Sequence, residues 1–118
     1  MKPNYSGETS RKSYQLRQDL RLPASFLVDV HLDNGRSVFG KLEDLSLNGA
    51  KLRLPVCLTS DSLLVLDFTN HQLTLKAKCR WSLPHDWTVG SYLTGINFIN
   101  INPAEYAQLR QILFSLAG

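Results

Sequence analysis

The sequence predicts an all-β domain that ends in one α-helix. Apolar and polar residues alternate along most of the chain with a period of two, as in strands with one buried face. The period becomes helical only in the last segment. With 118 residues, 43% of them hydrophobic, the chain is long enough to form one domain with its own core.

The first two strands are predicted to form a hairpin. Apolar side chains occupy every second position in residues 24–32, and residues 36–43 return as the partner strand. Asp33, Asn34 and Gly35 lie between them. An Asn-Gly pair favours a tight type I′ turn, because both central residues of that turn need positive φ.

Four further strands are predicted downstream of this hairpin. They are residues 50–54, 63–68, 73–81 and 91–99. Six strands at such short and regular spacing are typical of a closed or sandwiched antiparallel sheet. Closure into a small barrel would leave no exposed sheet edge.

The helix is predicted at the C-terminal end of the chain. Asn102 can cap it, Pro103 fits the first helical position, and Glu105 completes a capping box. About four turns are expected to follow. The apolar stripe of this helix is predicted to pack over one mouth or side of the barrel, and it comprises Tyr106, Leu109, Ile112, Leu113 and Leu116.

The excess positive charge lies in a short N-terminal leader. Residues 1–23 contain five basic and two acidic side chains, whereas residues 24–118 contain eight of each sign. A neutral body with a basic leader indicates an anionic partner, or else a solvated tail that only aids solubility. We expect residues 1–10 to be a disordered tail, and the leader up to Leu22 to be mobile because it has few apolar side chains.

The sequence shows little sign of catalysis or metal binding. Ser46 lacks the flanking glycines of a GxSxG elbow, the three histidines have no ligand spacing, and there is no glycine-rich phosphate loop. Cys57 and Cys79 form no CxxC pair and are interpreted as buried small hydrophobes. Without a secretory segment or an apolar run of about 18 residues, we expect a reduced, cytoplasmic binding protein that is not inserted in a membrane.

Two short motifs carry the functional signal. Arg17 and Arg21 form an RxxxR immediately before the first strand, and Asp44, Ser46 and Gly49 form a DxSxxG at the end of the second. The motifs are separated by 22 residues that include the hairpin, and this combination is specific. Asp, Ser and Gly also form ordinary turns, so it is the RxxxR together with the barrel context that favours a binding site here.

With these motifs the sequence resembles the PilZ domain family over about residues 11–116. The resemblance implies a six-stranded antiparallel β-barrel with a C-terminal helix. It also implies binding of the bacterial second messenger cyclic di-GMP through the two motifs. The domain would comprise residues 11–118, divided into a ligand-binding leader (11–23), the barrel (24–101) and the helix (102–117).

The chemistry of the motif residues agrees with that ligand. An arginine fork matches phosphate oxygens or the O6/N7 edge of guanine, and its face stacks on a purine, as expected for Arg17 and Arg21. Asp44 can accept hydrogen bonds from guanine N1–H and N2–H₂, and Ser46 would add a hydroxyl contact. Gly49 can take positive φ and would leave room for the ligand where a Cβ would intrude.

The expected mechanism is that of a sensor. The ligand would order the leader, and the changed surface would signal to a protein target, because a chain of this size has no output domain of its own. Leu16 stands where some family members have a basic residue, which favours one ligand per protomer.

Two alternatives stay open: a PilZ adaptor that works without ligand, and a barrel that binds single-stranded nucleic acid. The neutral body argues against nucleic acid because phosphate contacts need positive charge. Stacking on bases would also need exposed aromatic rings. Four aromatic side chains have strand phases that predict burial: Phe26, Phe68, Trp81 and Phe98.

Overall fold

The computed structural model describes residues 20–85 and 90–118. Within these ranges, six antiparallel strands form a closed barrel that is followed by one α-helix, which confirms the predicted fold class. A short 3₁₀ turn lies between the fourth and fifth strands. The elements are β1 (Leu22–Leu32), β2 (Ser37–Leu45), β3 (Gly49–Leu54), β4 (Leu63–Phe68), β5 (Leu73–Pro84), β6 (Tyr92–Ile99) and α1 (Pro103–Ala117).

The strands follow one another around the barrel in the order β1-β2-β3-β6-β5-β4, and β4 closes the barrel by pairing with β1. The core forms because each strand turns alternate side chains inward. Its largest fully buried members include Phe68, Leu42, Leu52, Leu66 and Leu75. Because the interior is filled with side chains, the outer surface of the barrel is where a ligand of nucleotide size has room to bind.

The helix begins with the predicted capping box. Asn102 Oδ1 accepts from the Glu105 N–H at 2.8 Å, and the Asn102 N–H donates to Glu105 Oε1 at 3.0 Å. Helix α1 packs against β1 and β5, and it extends the hydrophobic core beyond the strands. Its buried side chains are Leu109, Ile112 and Leu113, all members of the predicted stripe.

The first hairpin has a different turn from the one predicted. Gly35 has a φ of 88°, but Asn34 is not in the positive-φ region, so the prediction of a type I′ turn is wrong. The Gly35 N–H donates to Leu32 O at 3.1 Å, and the Leu32 N–H donates to Arg36 O at 2.8 Å. This is the pattern of a three-residue loop, in which a type I turn is followed by a glycine bulge. Asn34 supports the loop through its side chain, whose Oδ1 accepts from the Arg36 N–H at 2.9 Å.

The two cysteines differ in their surroundings. Cys79 is buried in the barrel, and burial raises the pKa of its thiol. Cys57 is exposed, so its interpretation as a buried hydrophobe is wrong. It lies in the loop between β3 and β4, where no strand alternation turns it inward.

Some expectations concern residues that lie outside the described ranges. These expectations are the disordered tail at residues 1–10, the mobile leader and the roles of Leu16 and Arg17. They stay predictions. Strand β1 begins at Leu22, two residues before the predicted strand, and both Leu20 and Leu22 pack against the core. Within the described residues, no helix is long and apolar enough to cross a membrane.

Candidate ligand-binding site

A β-bulge in β2 places Asp44 on the outer surface of the barrel. Leu42 is buried, and regular alternation would also turn the residue two positions later inward. The register between β2 and β3 shifts between Leu42 and Asp44, which leaves Glu43 as the extra residue. The phase is inverted beyond this point, so Asp44 points outward while Leu45 is buried.

A second β-bulge, in β5, places Trp81 on the outer surface of the barrel. The register between β5 and β6 shifts between Cys79 and Trp81, with Arg80 as the extra residue. Cys79 is buried, but Trp81 is 39% exposed, so the predicted burial of Trp81 is wrong. The strand phase is inverted beyond the bulge: Ser82 Oγ reaches the hydroxyl of buried Thr94 at 3.1 Å. The other three aromatic side chains fit the prediction better, since Phe68 is buried and Phe26 and Phe98 are partly buried.

Asp44 and Trp81 lie in one row across four strands. Asp44 pairs with Lys51, Lys51 with Gly95, and Gly95 with Trp81. Directly paired residues project from the same face of a sheet. We call these four residues the outer row.

Gly95 leaves room for the Trp81 indole in the outer row. A Cβ on residue 95 would collide with the indole, its nearest atoms being Cε2, Nε1 and Cζ2 of Trp81. The ring therefore covers the backbone of Gly95. The outer row thus combines a carboxylate at one end, an ammonium group beside it and a partly exposed aromatic ring at the other end.

Two cations hold the carboxylate of Asp44. Arg21 Nη1 donates to Oδ1 at 2.7 Å, and Lys51 Nζ lies 3.7 Å from Oδ2. The Arg21 side chain is 49% exposed, whereas that of Asp44 is only 17% exposed. The contact is a diagonal one across the β1–β2 pair: Pro23 is the partner of Asp44, and Arg21 lies two positions before Pro23.

Ser46 lies inside the turn between β2 and β3. It is 1% exposed, and its Oγ accepts from the N–H groups of Asn48 and Gly49, each at 3.1 Å. The same hydroxyl donates to Gly49 O at 3.2 Å. A serine hydroxyl has one donor and two acceptor positions, so all of them are used within the turn.

Gly49 is required by close packing of the backbone. It is absent from the positive-φ glycines, so its freedom to take positive φ is not used here. A Cβ at this position would collide with the carbonyl oxygen of Ile96 on β6. Any other residue would therefore force β3 and β6 apart at the first pair of their ladder, Gly49 with Asn97.

The structure thus brings together four of the predicted site residues: Arg21, Asp44, Ser46 and Gly49. Arg17 lies outside the described ranges. Sequence analysis missed Lys51 and Trp81 as members of the same surface. Lys51 was detectable, since it alternates with buried Ala50 and Leu52 just after the motif. Trp81 was not detectable as a surface residue, because the bulge before it leaves no trace in the apolar pattern.

Most of this chain matches a known protein family. The family model described as PilZ domain matches residues 15–115. By sequence, the chain matches no curated protein.

Several solved structures are similar to this chain. The PilZ domain of YcgR from Escherichia coli, solved with cyclic di-GMP, has 20% identity and a TM-score of 0.70, covering 86% of this chain and 91% of that one. The PilZ domain of CeSA from a cellulose-synthesizing bacterium has 22% identity and a TM-score of 0.63, covering 85% of this chain and 100% of that one.

A third similar structure is the K. pneumonia MrkH complex with cyclic di-GMP. It has 19% identity and a TM-score of 0.69, covering 86% of this chain but 52% of that one. MrkH is also described as a transcription regulatory factor that depends on cyclic di-GMP. At these identities the structural likeness shows the fold, while the family model spans most of the sequence, and the chain therefore belongs to the PilZ domain family.

Proposed function

We propose that this protein is a cytoplasmic receptor for cyclic di-GMP that binds the ligand on the outer row and signals to a protein partner. The observation that carries the proposal is the contact between the two motifs, in which Arg21 Nη1 lies 2.7 Å from Asp44 Oδ1. Membership of the PilZ family and cyclic di-GMP in the YcgR and MrkH structures support it. The protein acts in this proposal as a binding protein and not as an enzyme.

Asp44 recognises guanine in this proposal by exchanging partners. Both of its oxygens face cations before the ligand binds, Oδ1 toward Arg21 and Oδ2 toward Lys51. The guanine N1–H and N2–H₂ donors take over the carboxylate. Arg21 is then released to bind a phosphate or the O6/N7 edge of a guanine, and Lys51 stays nearby as a second cation for phosphate.

Trp81 provides a stacking surface at the other end of the outer row. Its indole is partly exposed and is held over Gly95. A purine base stacks on an aromatic face with a free energy of about 1 to 3 kcal/mol. A ligand with two guanines has one base for Asp44 and a second for an aromatic or guanidinium face.

Ser46 and Gly49 remain part of the proposed site. The Ser46 hydroxyl closes the turn, and Gly49 lets β3 approach β6, so together they hold the end of β2 that carries Asp44. A direct hydroxyl contact from Ser46 would require one of its present bonds to open. Arg17 completes the set from the leader, and ordering of that leader is the proposed signal.

Isothermal titration calorimetry with cyclic di-GMP tests the proposal on the wild type and on Arg21→Ala. We expect saturable binding to the wild type and a tenfold to hundredfold weaker affinity in the variant, since one good bidentate guanine contact contributes about 1 to 3 kcal/mol. Arg36→Ala is the matched control, because it removes the same charge from the exposed hairpin loop. Equal affinity in Arg21→Ala and Arg36→Ala would contradict the proposed site.

The same titration separates the alternatives. GTP and a short single-stranded oligonucleotide serve as competing ligands, and the oligonucleotide is needed because Trp81 is more exposed than its phase predicted. Heat from the oligonucleotide alone would favour nucleic-acid binding, and no binding of any nucleotide would favour a ligand-independent adaptor. A stoichiometry of one would agree with the prediction made from Leu16.

A further inference from the structure

We propose that Asp29, His31 and Asp67 form a binding site for a divalent transition metal, with Zn²⁺ as the best match. One ligand atom from each side chain lies within 4.8 Å of the others. The site is on the outer face of the barrel, where β4 pairs with β1. It is separate from the outer row, which crosses β2, β3, β6 and β5.

The strand register explains why the three groups converge. Asp29 and His31 are two positions apart on β1 and therefore project from the same face. Asp67 on β4 pairs directly with Asp29 on β1. Directly paired side chains have Cβ atoms about 5 Å apart, so the convergence is built into the strands and does not depend on a loop.

The donor set fits zinc. Zinc sites with an open position commonly combine three protein ligands from histidine and carboxylate with one water, at distances of about 2.0 to 2.2 Å. Tetrahedral geometry at those distances places ligand atoms about 3.4 Å apart, so a small closure of the side chains would suffice. His31 is exposed, which leaves its side of the site open to water.

His31 is already oriented by a neighbour. Its Nδ1 lies 2.8 Å from Ser37 Oγ on β2. In the tautomer in which Nδ1–H donates to that hydroxyl, the lone pair on Nε2 is left for a metal. Metal-ligating histidines commonly donate their other ring N–H in this way, which fixes the ring orientation.

The charges on this pair of strands also favour a cation. Asp29 and Asp67 are like charges directly opposite each other, an arrangement that destabilises a strand pair. Neither forms an ion pair within the described part of the chain, in contrast to Asp44 and Glu43. A bound divalent cation would remove this repulsion and join β1 to β4 where the barrel closes.

Titration of the whole chain with Zn²⁺, followed by calorimetry, tests the proposal. We expect one saturable site in the wild type and at least tenfold weaker binding in Asp67→Asn and in His31→Gln. Asp61→Asn is the matched control for charge, because Asp61 is an exposed turn residue with a φ of 71° that asparagine also adopts. His71→Gln is the control for an exposed imidazole outside the cluster.

Two further measurements keep the outcome decisive. Thermal unfolding should show a higher Tm with Zn²⁺ for the wild type and a clearly smaller shift for Asp67→Asn at the same Zn²⁺ concentration, because a ligand that binds only the folded state stabilises it according to its affinity. Cys57→Ser should bind Zn²⁺ like the wild type. Absence of a saturable site in the wild type, unchanged affinity in Asp67→Asn, or loss of binding in Cys57→Ser would each overturn the proposal.

Discussion

The two turns that flank β2 both end in an Asn-Gly pair but obey different constraints. The first turn contains Asp33, Asn34 and Gly35, and the second runs from Ser46 to Gly49. Around Gly35 a Cβ would meet no atom within 4 Å, whereas at Gly49 it would collide with the Ile96 backbone. The first turn needs glycine for its φ, and the second needs it for packing.

The polar side chains that support these two turns also differ in burial and in the number of hydrogen bonds they make. Asn34 accepts one hydrogen bond on an exposed loop, while buried Ser46 makes three bonds within its turn. Burial is what raises the cost of a change, because a buried donor that loses its partner cannot turn to water. Ser46, Leu47 and Gly49 are therefore part of the barrel interior, whereas Asn48 is exposed and Asp44 beside the turn is partly exposed.

Gly49→Ala should produce the largest effect of any change in the two turns. The added methyl group would push β3 from β6, and we expect a loss of about 3 kcal/mol or more in the free energy of unfolding. Urea denaturation followed by circular dichroism measures it. A variant that unfolds within 1 kcal/mol of the wild type would break the comparison, since the close approach at Gly49 would then impose no constraint.

Ser46→Ala should have the next largest effect. The change leaves the N–H groups of Asn48 and Gly49 without their buried acceptor, so we expect a loss of about 2 kcal/mol in the free energy of unfolding. Ser62→Ala is the control: it removes an exposed hydroxyl that makes one bond to Thr59 O, and it should cost less than about 1 kcal/mol. Equal losses in both variants would argue against a special role for burial in the motif turn.

Gly35→Ala should have the smallest effect. Nothing crowds the added methyl group, so only the strain of a left-handed residue remains, about 1 kcal/mol. Gly35→Asn should recover part of this loss, because asparagine tolerates positive φ better than alanine does. The same urea titration applies, and a loss as large as that of Gly49→Ala would show that φ and packing cannot be separated in these turns.

Much of the fold follows from local patterns in the sequence. The alternation in β5, from Leu73 to Cys79, predicts its buried face, and the spacing of Asn102 and Glu105 predicts the helix start. The hairpin was predicted at the right place but with the wrong turn. An Asn-Gly pair predicts that a turn forms at this place. The type of the turn depends on how many loop residues join the paired strands.

The candidate site was only partly predictable. Arg21 and Asp44 were identified through motif spacing, and the structure brings them into contact. Trp81 escaped detection, and so did the close packing of the backbone at Gly49. In both cases the decisive neighbour lies on another strand, Gly95 under the indole and Ile96 against Gly49.

By itself, the sequence determined which segments become strands, where the helix begins and which motif residues are available, because these depend on neighbours a few positions away. The tertiary structure alone decided that Asp44 and Trp81 face outward in one row. Both positions follow a bulge, and a bulge is a mismatch between two strands. In β5 the apolar alternation continues in sequence from Cys79 to Trp81 and Leu83, and only the register with β6 shows that the exposed face is inverted.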